Sequence, residues 1–155
     1  MHTFHSAHSH GFSLLEVVIA LAIIGLLVSV VSVPFAKFRR TQALENSTNA
    51  VVAVLNDART KTFGAYDDSA YSVHLDTTVA TLFSGTTYAQ GAAGNESAPY
   101  EYPVTATWSI QGGGSIISFN RLTGTTASYG TITLGLPDGT TRTVTIGALG
   151  TITRN

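Results

Sequence analysis

The sequence contains no cysteine, which excludes disulfides, a thiol nucleophile and thiolate metal sites while leaving an extracytoplasmic location open. Charge is also scarce. Only 11% of residues are charged and the net charge is −1, so there is no basic field for nucleic acid. The first eleven residues hold no Lys or Arg, so the basic start of a cleaved secretory signal is missing. No Gly-rich phosphate loop, HExxH or GxSxG is present, so the common catalytic signatures are absent too. Beyond Gly64 lysine disappears while Thr, Ser and Gly accumulate, a composition suited to a β-rich domain with an uncharged polar surface.

What the chain has in abundance is one apolar run. From Val17 to Ala36 no residue carries a formal charge. A helix of that length rises about 30 Å, the thickness of a bilayer's hydrocarbon core. The run is apolar on every face, which argues against a buried soluble helix. A plain transmembrane anchor would need nothing more, yet Glu16 sits at its start. A carboxylate in apolar surroundings needs a cation, and no Lys or Arg lies within a helical turn of it. Cleavage after Gly11 would create one, the α-amine of Phe12, with a reference pKa of about 7.7–8. On a neighbouring copy that amine would pair with Glu16 and fix the axial register between helices.

These residues carry a family resemblance. "GFSLLEVVIALAIIGLLVSVVSVP" resembles the class III signal of type IV pilins and type II secretion pseudopilins. The resemblance implies that a prepilin peptidase cuts after Gly11 on the cytoplasmic side and N-methylates Phe12. It implies that Glu16 is the assembly glutamate and that Pro34 kinks the membrane helix. Pro34 stands one position later than the family pattern leads one to expect. Two further features depart from that pattern. His2, His5, His8 and His10 occupy a leader where basic residues are usual, and Lys37, Arg39 and Arg40 follow the apolar run. The latter opposes the positive-inside rule, so orientation rests on the motif. Clustered imidazoles are capable of holding a metal, but a disposable leader with partly protonated histidines is expected.

Helical character is expected to continue past Pro34. Leu44, Val51, Leu55 and Ala58 recur at helical spacing with Val52 and Val54 beside them, and Gly64 is the expected stop. Arg59 and Lys61 suit the negative pole of the helix. Asn46, Ser47, Thr48 and Asn49 weaken propensity midway and predict a kink or thin spot. Strands are predicted at 71–75, 79–83, 104–110, 115–119, 130–135, 140–146 and 150–153, with a loop from Ser84 to Tyr102. Pro137-Asp138-Gly139 reads as a hairpin turn. Alternation in Thr131–Leu134 and Thr143–Ile146 gives one apolar and one threonine face, as in an antiparallel sheet laid on a helix.

The expected fold is therefore α+β and pilin-like, a long N-terminal helix packed on an antiparallel β-sheet head. Its parts are a cytoplasmic leader (1–11), a transmembrane and filament-core helix (12–35), an amphipathic continuation (36–63) and a β-rich periplasmic or extracellular head (64–155). The late segments "ISFNRLTGTTASYGTITL" and "RTVTIGALGTITR" resemble the C-terminal half of GspH/FimT-type minor pseudopilins, through Phe119, Gly124, Gly130, Ile132, Ile146 and Gly150.

Other groups carry chemistry that sites use. His74 and Asp76 share a strand face, but no nucleophile pattern accompanies them, so a satisfied pair is expected. Asp67 and Asp68 supply oxygen ligands of the kind Ca²⁺ takes, joined by Glu96 and Glu101 only if folding gathers the loops; a solvated turn is expected. Trp108 and Tyr66, Tyr71, Tyr88, Tyr100, Tyr102 and Tyr129 offer a contact surface or core and rim packing. No catalytic residue, metal or cofactor is expected.

By resemblance, the chain is a filament subunit of a type IV pilus or type II secretion pseudopilus. Its partners would be prepilin peptidase, other pilin or pseudopilin subunits, the cytoplasmic membrane and a secreted substrate. It would be single-pass with its N-terminus inside before assembly. A major pilin, a tip module binding adhesively or to substrate through the Ser84–Tyr102 loop, and a tethered enzyme are the alternatives, in that order.

Overall fold

The computed structural model describes the backbone of residues 11–155 and their side chains except those of residues 30–34. One helix, α1, spans Leu14–Phe63. Eight strands follow: β1 (Tyr71–Leu75), β2 (Val79–Ser84), β3 (Glu96–Pro99), β4 (Thr105–Ile110), β5 (Ile116–Ser118), β6 (Gly130–Gly135), β7 (Thr141–Ile146) and β8 (Ile152–Arg154). The chain divides into two compact units, Met1–Phe38 and Arg39–Asn155.

In the first unit the described helical side chains from Leu14 to Ser29 are exposed on every side. Among the described residues no helix is long and apolar enough to cross a membrane; the span expected over 12–35 includes residues 30–34, whose side chains lie outside the described residues. The Pro34 side chain, and the kink expected there, lie outside the described residues, as do the leader histidines.

In the second unit the helical spacing of Leu44, Val51, Leu55 and Ala58 places them on one side, and each is fully buried. They share one core with Val73, Leu75, Leu82 and Ile117 of the first sheet and Ile132, Leu134, Val144 and Ile146 of the second. The expected thin spot at Asn46–Asn49 does not occur. Ser47 and Thr48 are buried, Thr48 Oγ1 donates to the Leu44 carbonyl at 2.7 Å, and Ser47 Oγ accepts from the Glu101 N–H at 2.9 Å. The weak helix formers are thus anchoring groups, and tertiary bonding overrides their propensity. The helix stops at Phe63 as expected, but Ala65, at φ 49°, takes the left-handed position after it.

The strands form two antiparallel four-stranded sheets, ordered β3-β2-β1-β5 and β4-β6-β7-β8, in place of the single sheet expected. Alternation identifies a strand's faces but not its neighbours, so the departure of β4 and the return of β5 to pair with β1 leave no local mark. The Ser84–Tyr102 segment contains β3, which pairs with β2 from Val79↔Pro99 to Leu82↔Glu96. It escapes a sequence reading because it is an edge strand with Ala and Pro, and Pro is tolerated only where no partner needs its missing N–H. The β6–β7 hairpin turns at Pro137–Gly139 as expected, with Gly139 at φ 87° and Thr140 N–H donating to Asp138 Oδ1 at 2.9 Å. The threonine face also forms: Thr107, Thr133 and Thr143 pair in one row, and Ser109, Thr131, Thr145 and Thr153 in the next.

Candidate functional site: the helix start and the outer cleft

The helix begins within the stretch that the sequence singled out. The Ser13 carbonyl accepts from the Glu16 N–H at 3.0 Å and the Val17 N–H at 3.2 Å, so Ser13 is the N-cap residue and Glu16 closes the first turn. Ser13-Leu14-Leu15-Glu16 thereby fits the S-x-x-E capping pattern, a local role for the acid that the sequence reading missed although the pattern was there to see. Glu16 is exposed, and a carboxylate in the first turn is also favoured by the helix dipole. Gly11 and Phe12 precede the helix, exposed and without regular structure, Phe12 at 82% exposure. A peptide bond in that state is open to an enzyme.

Ion pairs and hydrogen bonds tie α1 to the β-rich part, among them those of Thr62 Oγ1 with the Tyr71 N–H at 2.8 Å and the Tyr71 carbonyl at 3.1 Å. Arg142 and Arg154 lie on the inner face of the second sheet and converge on Glu45, with Nε to Oε1 at 2.6 Å and Nη1 to Oε2 at 3.2 Å; Arg154 also donates to Asn49 Oδ1 at 2.7 Å. Lys61 joins Asp57 at 2.9 Å and Glu96 at 2.8 Å. The hydrogen bond that Lys61 donates to Glu96 is the main cause holding its ammonium above its ordinary pKa, against the effect of desolvation. Arg59 Nε donates to the Gly124 carbonyl at 3.3 Å.

The remaining acids do not gather. Asp68 pairs with Arg121, Tyr71 Oη donates to Asp67 Oδ2 at 3.5 Å, and Asp67 and Asp68 both take left-handed backbone, with φ 50° and 55°. Glu96 goes to Lys61, and Glu101 accepts from Asn46 Nδ2 at 2.9 Å. Among the described residues no group of three or more His, Asp or Glu is placed to hold a metal ion.

The aromatic residues separate in the same way. Tyr71 and Tyr100 are buried, Tyr66, Tyr102 and Tyr129 are exposed, and Trp108 Nε1 donates to the Gly114 carbonyl at 2.9 Å. Burial pushes the Tyr71 phenol up, with Asp67 adding to the effect, and pushes the Tyr100 phenol up further. The Tyr100 hydroxyl is buried without a hydrogen-bond partner among the described residues.

His74 and Asp76 do meet in a recess, on the outer face of the first sheet beneath the Ser84–Asn95 loop. The cleft has a volume of ≈ 390 Å³. Tyr88, from the loop, stacks on the His74 ring at 4.0 Å with an interplanar angle of 2°, and Phe83 meets Tyr88 edge-on at 5.4 Å. Asp76 Oδ1 accepts from the Thr77 N–H at 2.6 Å and from its hydroxyl at 3.2 Å.

Residues 6–32 match the family model of the prokaryotic N-terminal methylation motif. The chain carries a type IV pilin-like signal. That motif indicates a type IV pilin-like or pseudopilin precursor, and it implies processing by a prepilin peptidase and assembly with pilin subunits. No curated protein and no solved structure matches the chain. The motif covers Gly11, Phe12 and Glu16 and ends before Pro34.

Proposed function

We propose that the chain is a non-catalytic structural subunit of a pilus-like or type II secretion pseudopilus filament. The observation that carries this is the methylation motif at residues 6–32, which runs into a helix whose described side chains from Leu14 to Ser29 are exposed all round and whose first turn holds an exposed carboxylate. In this reading the peptidase cuts after Gly11 and methylates Phe12, and the amine of Phe12 meets Glu16 of a neighbouring copy. The uncharged run from Val17 to Ala36 anchors the precursor in the inner membrane and then packs in the filament core. The β-rich unit faces outward.

A minor, GspH/FimT-type subunit is the reading favoured by Phe119, Gly124, Gly130, Ile132, Ile146 and Gly150, which carry that resemblance. Phe119, Ile132 and Ile146 are core residues, and the three glycines are sites of close backbone or side-chain approach. A major pilin is the alternative, distinguished by counting this subunit against others in isolated filaments. The deciding experiment is mass spectrometry of the chain purified from its native membrane. N-methyl-Phe12 as the first residue is expected; an intact Met1 in all of the protein would sink the reading.

A further inference from the structure

The cleft on the outer face of the first sheet has no part in subunit assembly as described above. Its floor is one register row: His74 lies opposite Thr81, and Thr81 opposite Ser97, so three polar side chains stand on adjacent strands about 4.8 Å apart. Thr81 is 2% exposed, yet its hydroxyl makes a single contact, 3.4 Å from Ser97 Oγ. That is well beyond the roughly 2.5–3.0 Å of a good O–H···O bond, so a buried hydroxyl is left weakly engaged in the cleft floor. Asp76 uses Oδ1 for both of its bonds to Thr77 and keeps Oδ2 as an acceptor. Gln90 adds a primary amide, Asn95 adds its Oδ1 while its Nδ2 donates to the Ala89 carbonyl at 2.9 Å, and the stacked His74–Tyr88 pair adds an aromatic wall.

No Lys or Arg lines the cleft, which disfavours anions, and the one carboxylate is too few for a hard cation. What remains is a set of hydroxyl, amide and carboxylate groups beside an aromatic surface. That set suits a ligand whose polar groups are mostly hydroxyls, which both donate and accept, and whose ring presents C–H faces. The volume of ≈ 390 Å³ is at the small end of the roughly 300–1,000 Å³ of ligand sites, enough for a single ring. We propose that this cleft binds a neutral pyranose, the floor row and Asp76 engaging its hydroxyls and the aromatic pair its apolar face.

The test uses the full-length chain in polyoxyethylene micelles, which contain no sugar. Methyl β-galactopyranoside, methyl α-glucopyranoside and methyl α-mannopyranoside are titrated separately, with inorganic phosphate and tetramethylammonium as charged comparisons. Binding is read by saturation-transfer NMR and by amide shifts. At least one pyranoside is expected to bind saturably and to move the Gly91 and Ala92 amides. Its affinity should fall at least about tenfold in Asp76→Asn, as expected for loss of a charge-assisted bond. Gln90→Ala, at an exposed loop position, should also weaken binding while leaving the fold intact. The proposal is overturned by no saturable binding of any pyranoside, by binding that both variants leave unchanged, or by binding of tetramethylammonium or phosphate alone. Because binding is read on unassembled chain, failure here leaves the subunit reading standing.

Discussion

The carbonyl oxygen of Gly124 lies 1.9 Å from the position that a Cβ would take on Gly150. Gly150 also has φ 76°, and the same Cβ would come 2.8 Å from Arg59 Nε. Two backbone segments and a helix side chain therefore close on one point that no side chain fits. Gly150→Ala should separate the Gly124 carbonyl from Arg59 and lower the stability of the β-rich unit by about 2–4 kcal/mol, combining left-handed strain with overpacking. Gly139→Ala is the control, since Gly139 has φ 87° but open space around it. It should cost about 1–2 kcal/mol from backbone strain alone. Urea unfolding followed by Trp108 fluorescence checks the difference; equal costs would show that the crowding at Gly150 is relieved by a shift of the backbone.

Glu45 is the only acid that Arg142 and Arg154 share among the described ion pairs. The three side chains are one quarter to under one half exposed, so solvent screens the pairs and each is worth well under 1 kcal/mol. Glu45→Ala should therefore lower stability by about 1 kcal/mol, and part of that loss should come from two like charges left side by side. The wild-type chain should lose more stability than the variant as salt is raised, since screening removes what the variant already lacks. Identical salt dependence in denaturant titrations would show that the pairs contribute nothing measurable.

Tyr100 holds a hydroxyl in the core without a partner among the described residues. Tyr100→Phe removes the unsatisfied group and keeps the ring, so stability should be unchanged or rise by up to about 1 kcal/mol at neutral pH. A loss greater than about 1 kcal/mol would mean that the hydroxyl is bonded to an ordered water. Alkaline behaviour follows from the same group. Tyr100, Tyr71 and Lys61 all have folded-state pKa values raised above the ordinary range of about 10–10.4. As pH rises past that range the unfolded chain gives up these protons first and the folded chain retains them, so the folded state binds more protons. Stability is then full below about pH 10 and falls as pH climbs above it. Thermal unfolding across the alkaline range should show that fall, and Tyr100→Phe should make it shallower.

Much of this fold was legible where one residue pattern had one physical solution. The stripe Leu44–Val51–Leu55–Ala58 has a 3.6-residue period and forms the buried helix face. The Pro137-Asp138-Gly139 turn and the threonine alternation around it fixed the β6–β7 hairpin with its register. What escaped depends on partners far apart in the chain. Nothing local in Glu96–Pro99 announces a strand, because its pairing is supplied by β2. Nothing in Asn46–Asn49 reveals that Ser47 will cap the Glu101 N–H or that Asn49 will meet Arg154. His74 and Asp76 could be placed on one face, but Tyr88 arrives from a loop whose course no periodicity encodes. The N-terminal motif was legible because it is local: Gly11, Phe12 and Glu16 stand within a few residues, next to an unbroken apolar run.

That locality also leaves Glu16 with two roles to separate. As the third residue after Ser13 it suits a capping box, and as the acid nearest Phe12 it suits pairing with a neighbour's amine. Glu16→Leu removes both and cannot tell them apart. Glu16→Gln retains the capping amide, since Gln serves at that position as Glu does, but removes the charge. If pairing is the essential role, Glu16→Gln chains should insert, be cleaved to Phe12 and methylated, yet fail to enter filaments, as Glu16→Leu chains do. If capping is the essential role, Glu16→Gln should assemble normally while Glu16→Leu weakens the first turn by about 0.5–2 kcal/mol and assembles poorly. Sedimented filaments probed for each variant, alongside the mass of the processed N-terminus, give the two results independently. Normal assembly of Glu16→Gln would remove the charge-pairing argument while leaving the cleavage and methylation reading intact.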